Sequence, residues 1–432
     1  MNKRELKLSK QTFNLERFKS NAFLIFSVLV IFFIYLIMFF SSFSSDFKGI
    51  GRYYGSPDAD SYVKMAYQLI NKGVYGYNST SSNAYVTPSQ PFYIASILMF
   101  NKILNVNDMF LIAFFNLLLN IGSIILIYFI SLEMFKNKRI SFLSSLLFAI
   151  YFSNVYFIRT ALTEIPAIFF MLLSMFIFLK AFKKDKAFLY MLFSIIYAIT
   201  IMFRPALAPL LLIGFFIIWK KYGLKSGTKR LMYFSVGFIL IILPWIIRNY
   251  LLFHQLFIFS SHGGNPFLSG TYPFYMDDFD SVILKELGMS QMEYGKYRLM
   301  EGLKSDPKLY ISWFTLGKFL WLFGGPCSWL YYRNSYSFLR YFVYFQHFLI
   351  LFFSILCIFK YWKKDNHLKV LSSIVILYVL IHLGFIAIPR FGYLIFPILS
   401  ILASYAIILI YDSLKLINYS ELKIKILEFC KK

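Results

Sequence analysis

The chain has 432 residues, 59% of them hydrophobic and only 15% charged, with a mean hydropathy of +0.64. So few charges do not cover the surface of a soluble chain this long, which excludes an ordinary globular domain and predicts an all-α polytopic membrane protein. The formal net charge of +24, from 44 Lys+Arg against 20 Asp+Glu, then fits basic cytoplasmic loops better than a nucleic-acid partner.

A basic tail (Lys3, Arg4, Lys7, Lys10, Arg17, Lys19) precedes the first apolar run, Ala22–Phe43. That run is long enough to cross the hydrocarbon core and lacks a small-residue cleavage site, so it reads as a retained helix. With the tail inside, residues 44–108 lie outside. Further apolar runs fall at about 109–132, 141–158, 163–182, 187–203, 205–219, 231–248, 338–359, 368–388 and 392–411, giving about ten spans. The charges test this count. "FKNKR" (135–139), "KKDK" (183–186), "KKYGLKSGTKR" (220–230), "KYWKKDNHLK" (360–369) and the Lys-rich tail after Asp412 all fall on one side, as the positive-inside rule requires. Both termini are then cytoplasmic, and the protein is a multi-pass cell-membrane protein. The whole chain, 1–432, reads as one membrane domain with two large outer loops, 44–108 and 249–337.

The segment "PFYIASILMFNKILN" (91–105) is apolar but short and includes Asn101 and Lys102. It is expected to be an interfacial or re-entrant helix on the outer face, because counting it as a span breaks the charge pattern. Residues 313–330 are similarly ambiguous. No repeat of fixed period is visible. Cys327, Cys357 and Cys430 lie too far apart to form a disulfide framework or a metal cluster.

Outer loop one opens with "PDADSYVKMAYQLINKGVYGY" (57–77). From Asp60 onward Tyr62, Met65, Ala66, Leu69 and Ile70 recur at helical spacing, with Ser61, Lys64, Gln68 and Asn71 opposite. Gly73 suits a helix C-cap. Asp58 and Asp60 sit at the positive end of this amphipathic helix, where an aspartate caps and complements the dipole. Two carboxylates exceed what a cap needs, and a carboxylate there also suits a general base or a metal ligand.

The ionisable residues of the spans sit near their outer ends: Arg159 and Glu164 in "YFIRTALTEIPAIFF", Arg204 in "MFRPALAP", Arg248 in "PWIIRNYLLF" and Arg390 in "IPRFGYLIFP". Any one Arg reads as an interfacial anchor. Four helix ends that carry Arg in a Lys-rich chain point further, because the guanidinium fork matches phosphate oxygens. "YMDDFDSV" (275–282) lacks the Gly turn and terminal Glu of a calcium loop. It reads as a solvated loop.

In order along the chain these motifs resemble the bacterial GT-C glycosyltransferases of family 39, a group that includes protein O-mannosyltransferases and the lipid A aminoarabinose transferase. The resemblance rests on "PDADSYVKMAYQLINKGVYGY" followed by "TPSQPFYIAS" (87–96), then "TALTEIP", "FRPALAP", "PWIIRNYLLF", "SSHGGNPFLSG" (260–270) and "RFGYLIFP". Two features depart from the family pattern: "TPSQPFY" stands where a "PPGYP" turn is usual, and Phe391 replaces the Tyr after Arg390.

The resemblance implies an inverting transfer of a sugar from a polyprenyl-phosphate carrier to an acceptor outside the cytoplasm, whether lipid, glycan or protein. It implies Asp58 as general base, Asp60 as its helper or cap, and Glu164 at the second acidic position. Arg204, Arg248 and Arg390, with Arg159, would face the donor phosphate, and Tyr62, His262 and Asn265 would touch substrate. A divalent metal ion is left open, with Asp58, Asp60 and Glu164 as the ligands it would use. Two other classes fit the same composition. A lipid-linked sugar flippase or transporter favours midplane charges and inverted repeats. A surface-polysaccharide polymerase or ligase does not need the loop-one carboxylates.

Overall fold

The computed structural model describes residues 20–34, 36–37, 56–275, 284, 286–326 and 337–429, with side chains left out at 337–340 and after 415. The basic N-terminal tail, the end of the first apolar run, the aspartates of 277–280, Cys327 and Cys430 lie outside the described residues. Among the described residues the elements are helices throughout, with no strand, as backbone in hydrocarbon must satisfy its own hydrogen bonds.

Helix α1 (Ser20–Ile34) is followed by α2 (Pro57–Lys72), α3 (Ser89–Leu104), α4 (Asp108–Phe135), α5 (Lys138–Ala149), α6 (Ser153–Ile158), α7 (Glu164–Lys184) and α8 (Ala187–Phe203). Next come α9 (Leu211–Phe253), α10 (Gly264–Gly270), α11 (Gln291–Ser305), α12 (Pro307–Ser312), α13 (Lys318–Phe323) and α14 (Ser337–Leu356). The chain closes with α15 (Asn366–Gly384), α16 (Pro389–Tyr393) and α17 (Phe396–Phe429). By length and composition 6 of the described helical stretches suffice to cross a membrane, and Ser20–Ile34 and Ala187–Phe203 are shorter apolar helices. One long stretch, Pro205–Phe253, holds two predicted spans. It breaks at Gly223, where φ is 74° and ψ is 169°, a conformation that glycine reaches without a Cβ penalty. The predicted span 141–158 is also divided, into α5 and α6. Helix α3 has 16 residues and is absent from the candidate spans, in keeping with the interfacial reading of 91–105.

The break between α5 and α6 leaves backbone polar groups that hydrocarbon does not satisfy. Gln346 of α14 fills that need: its Nε2 donates to the Ile150 carbonyl at 2.6 Å and its Oε1 accepts from the Phe152 amide at 3.0 Å. Beside it Tyr151 stacks on Phe396 (4.3 Å, 6°) and Phe157 on Tyr393 (4.3 Å, 17°), so aromatic faces supply the packing at the centre of the bundle. Helices α8 and α9 approach closely at Gly237, where a Cβ would stand 2.2 Å from Ser194 Oγ and 2.4 Å from the Met191 carbonyl. Small residues allow such approach in a membrane bundle.

The basic clusters do gather on one face. Glu133 at the end of α4 pairs with Lys183 of α7 (2.8 Å) and Lys136 (3.3 Å), Arg139 pairs with Asp412 (2.7 Å), and Arg230 pairs with Asp185. The Phe135 ring meets His367 edge-on at 6.3 Å. Glu164 opens α7 and Arg204 follows the end of α8, so both stand at the opposite ends of the helices whose other ends carry these lysines.

Candidate active site

Helix α2 begins at Pro57, three residues before the predicted start. Its N-cap is Ser56, whose side chain accepts from the Ala59 amide at 3.2 Å. Neither Asp58 nor Asp60 is the cap; both lie in the first turn. Gly73 closes the helix as expected, with φ 66° and its amide donating to the Leu69 carbonyl. The predicted polar face is only partly right. Ser61 is buried and donates to Asn78 Oδ1 at 2.8 Å, and Gln68 donates to the Ser79 carbonyl at 2.9 Å. The loop after the helix folds back over that face.

Residues two apart on a helix stand about 200° apart, whereas residues four apart share a face. Asp58 and Tyr62 therefore look the same way and Asp60 does not. On the Asp58 face the tertiary structure assembles an ion cluster. Arg390 Nη1 donates to Asp58 Oδ2 at 2.7 Å, and Arg390 Nε bonds Glu164 Oε1. Arg204 Nη2 bonds the same Glu164 oxygen. Glu164 is 0% exposed, Arg204 15%, Arg390 14% and Asp58 46%. The buried carboxylate thus orients two guanidiniums, and the half-exposed one is the member open to a ligand. Phe391 lies under the Arg204 guanidinium, 4.7 Å from ring centre to Cζ. A Phe meets this stacking role without a hydroxyl.

Tyr77 was not singled out from the sequence, yet its hydroxyl donates to Asp58 Oδ1 at 3.0 Å. It stacks on Tyr85 (5.1 Å, 12°), which in turn meets His262 at 3.8 Å. The segment after α2 and the segment after α9 meet here, as the Ser261 amide donates to the Ala84 carbonyl at 2.8 Å. Burial raises the Asp58 carboxyl, but the charge and hydrogen bond of Arg390, with Tyr77 and Arg204, outweigh it and hold the group below the usual carboxylate range. Burial pushes His262 down to about 4, against smaller opposing effects of Asp58 and Asn265, so its ring is neutral at ordinary pH. The Asn265 amide donates to the His262 carbonyl at 3.1 Å.

The model of the dolichyl-phosphate-mannose-protein mannosyltransferase family matches residues 58–257. Among solved structures, the Archaeoglobus fulgidus oligosaccharyltransferase AglB in complex with an inhibitory peptide and a dolichol-phosphate aligns at 14% identity with a TM-score of 0.54, covering 92% of this chain and 52% of that one. The same oligosaccharyltransferase tethered to an acceptor peptide aligns at 15% identity and a TM-score of 0.54, over 91% and 50%. The chain has the GT-C fold. It spans about half the length of these archaeal structures. ArnT from Cupriavidus metallidurans bound to undecaprenyl phosphate aligns at 13% identity and a TM-score of 0.49, over 89% of this chain and 59% of that one. A search of curated proteins finds no match.

Within this GT-C chain the remaining expected site residues take other positions. Arg248 donates to the Asn83 carbonyl (3.0 Å) and Asn249 Oδ1 (2.8 Å), and its guanidinium faces Tyr75 and Trp245 at about 5 Å. None of these contacts joins it to Glu164, and they pin loop one to α9. Arg159 follows α6 in the turn that leads to α7. The three carboxylates proposed as metal ligands do not converge: among the described residues no group of three or more His, Cys, Asp or Glu gathers as a metal site. No step below runs through a metal.

Proposed function

We propose that the protein is a glycosyltransferase that moves a sugar from a polyprenyl-phosphate carrier to an acceptor on the outer side of the membrane, with inversion and with Asp58 as general base. The observation that carries this reading is the half-exposed Asp58 carboxylate held between Tyr77 and Arg390, beside a second arginine fixed by buried Glu164. The family match over 58–257, and the dolichol-phosphate and peptide named for the AglB structure, support it.

The acceptor oxygen attacks the anomeric carbon, and the carbon–oxygen bond to the lipid phosphate breaks with its electron pair on the phosphate. The acceptor proton passes to Asp58. Asp58, Glu164, Arg204 and Arg390 together carry no net charge before the step. Proton uptake by Asp58 leaves the cluster at +1 as the departing phosphate gains −1, so charge is neutralised where it develops. A carrier phosphate that draws Arg390 toward itself also loosens its hold on Asp58 and makes that carboxylate a better base. Arg204 and Arg390 are the phosphate-facing residues in this scheme.

Transfer from a purified polyprenyl-phosphate sugar, measured for Asp58→Asn and Asp60→Asn, tests the reading. A missing general base costs roughly 10²–10⁴ in rate, so Asp58→Asn falls by that factor and still binds the lipid carrier. Asp60→Asn keeps most of its activity. Near-normal transfer by folded Asp58→Asn overturns the assignment, and movement of intact donor across the membrane without transfer favours the flippase class.

A further inference from the structure

A second feature, between the helices, runs from Met171, Leu210 and Ile398 to the lysine-bearing end of the bundle. Helices α7, α8, the first half of α9, α15 and α17 enclose a cavity of about 580 Å³. Its walls are apolar, with Phe178, Phe216 and Ile374 among them, and its mouth is basic, formed by Lys220, Lys221 and Lys369. Lys221 bonds the Phe182 carbonyl and lies 3.8 Å over the Phe182 ring, while Lys369 Nζ donates to Asn366 Oδ1 at 3.2 Å. Lys220 and Lys221 precede the α9 break at Gly223 and Lys369 lies near the start of α15, so all three lysines belong to the ends of helices that wall the cavity.

We propose that this cavity is a binding site for an anionic phospholipid of the leaflet that borders the lysines, with one acyl chain between the helices and the phosphate at the lysine mouth. Charge complementarity selects the occupant. Basic pockets between transmembrane helices bind anionic headgroups, and each lysine near the surface strengthens that attraction. The neutral alternative, a zwitterionic lipid, gains little from three lysines. The donor's own polyprenyl chain is a poorer fit. Helix α7 carries Glu164 at its first residue and Phe182 near its last, and its 21 residues span about 30 Å. A donor whose phosphate sits at Arg204 and Arg390 leaves the lysine mouth without an anion.

Native mass spectrometry of the delipidated full-length protein in neutral detergent tests this, with phosphatidylglycerol, phosphatidylcholine and undecaprenyl phosphate titrated separately. Phosphatidylglycerol is expected to bind at least tenfold tighter than phosphatidylcholine. The combined Lys220→Gln, Lys221→Gln, Lys369→Gln variant loses affinity for it by roughly 10- to 100-fold, and the corresponding triple Arg variant, which keeps the charge, retains it. Gly214→Phe fills the cavity from within. A Cβ at Gly214 meets only Phe178, at 3.9 Å, an ordinary contact; an unfolding curve matching the wild type identifies a folded variant, in which binding is expected to be lost. Equal binding of the two phospholipids overturns the proposal. Retained phosphatidylglycerol in Gly214→Phe also overturns it, by reducing the effect to surface adsorption. Loss of undecaprenyl phosphate alone in Gly214→Phe overturns it in favour of the donor chain. None of these readouts depends on transfer activity.

Discussion

Arg390 joins two carboxylates of different burial, and its replacement by Gln separates their contributions. Glu164 is 0% exposed and shares one oxygen between Arg390 and Arg204. Breaking a buried ion pair from one side costs about 3–5 kcal/mol, because the remaining charge stays buried. Arg204 still faces Glu164 in Arg390→Gln, which places the loss near the lower end, about 3 kcal/mol. The pair with Asp58, whose side chain is 46% exposed, adds at most about 1 kcal/mol. Arg390→Gln should therefore lose about 3–4 kcal/mol, and Asp58→Asn about 1 kcal/mol or less. Denaturant-induced unfolding in a defined detergent, followed by Trp fluorescence, ranks the two variants. The Arg390→Gln, Glu164→Gln double variant completes a cycle, and groups in direct contact couple by about 0.5–3 kcal/mol. Equal losses for Arg390→Gln and Asp58→Asn, or a coupling near zero with Glu164→Gln, would refute the claim that the buried carboxylate holds Arg390 in place.

Further outcomes follow from the same structure. Since Arg390 and Tyr77 hold the Asp58 carboxyl below its ordinary range and His262 lies at about 4, neither group titrates between about pH 5 and 8. A required base loses activity as pH falls through its pKa, so the acid limb of kcat/KM lies below about pH 4 in the wild type. In Tyr77→Phe, which removes one lowering bond, it moves upward; an unmoved limb contradicts the role of Tyr77. Gln346→Ala removes the side-chain hydrogen bonds to the Ile150 carbonyl and the Phe152 amide at the α5–α6 break, a loss of about 0.5–1.5 kcal/mol for each bond, read from the same unfolding curves. For topology, cysteines placed at Ser81 and Ser226 should react with impermeant maleimide from opposite sides, Ser81 from outside; labelling from one side would sink the proposed orientation.

Much of the membrane domain was legible in the sequence because hydrocarbon imposes a one-dimensional rule. A span must be apolar over its length and its backbone must close its own hydrogen bonds, so run length and lysine placement locate helix ends without knowledge of neighbours. The same rule made Glu164, Arg204 and Arg390 conspicuous as charges at the ends of apolar runs. Gly73 was readable as a cap, since a left-handed residue after an amphipathic run is a local requirement. The cap at the other end was misplaced because Ser56 lies before the periodic pattern begins.

What joins what was decided by the tertiary structure. Asp58 and Arg390 are 332 residues apart, and no local preference brings them together. Arg248 and Arg390 have the same local signature, an arginine at the end of an apolar run. Packing sends one to the loop-one backbone and aromatic rings and the other to two carboxylates. Tyr77 was indistinguishable in sequence among the 33 tyrosines of the chain until the loop after α2 folded back. By residue pattern alone Asp58 and Asp60 looked equivalent while the helix start was unknown, and the family resemblance was what ranked them. Once Ser56 fixed it, the 3.6-residue turn placed Asp58 on the Tyr62 face and turned Asp60 away, because only residues inside the helix follow its turn.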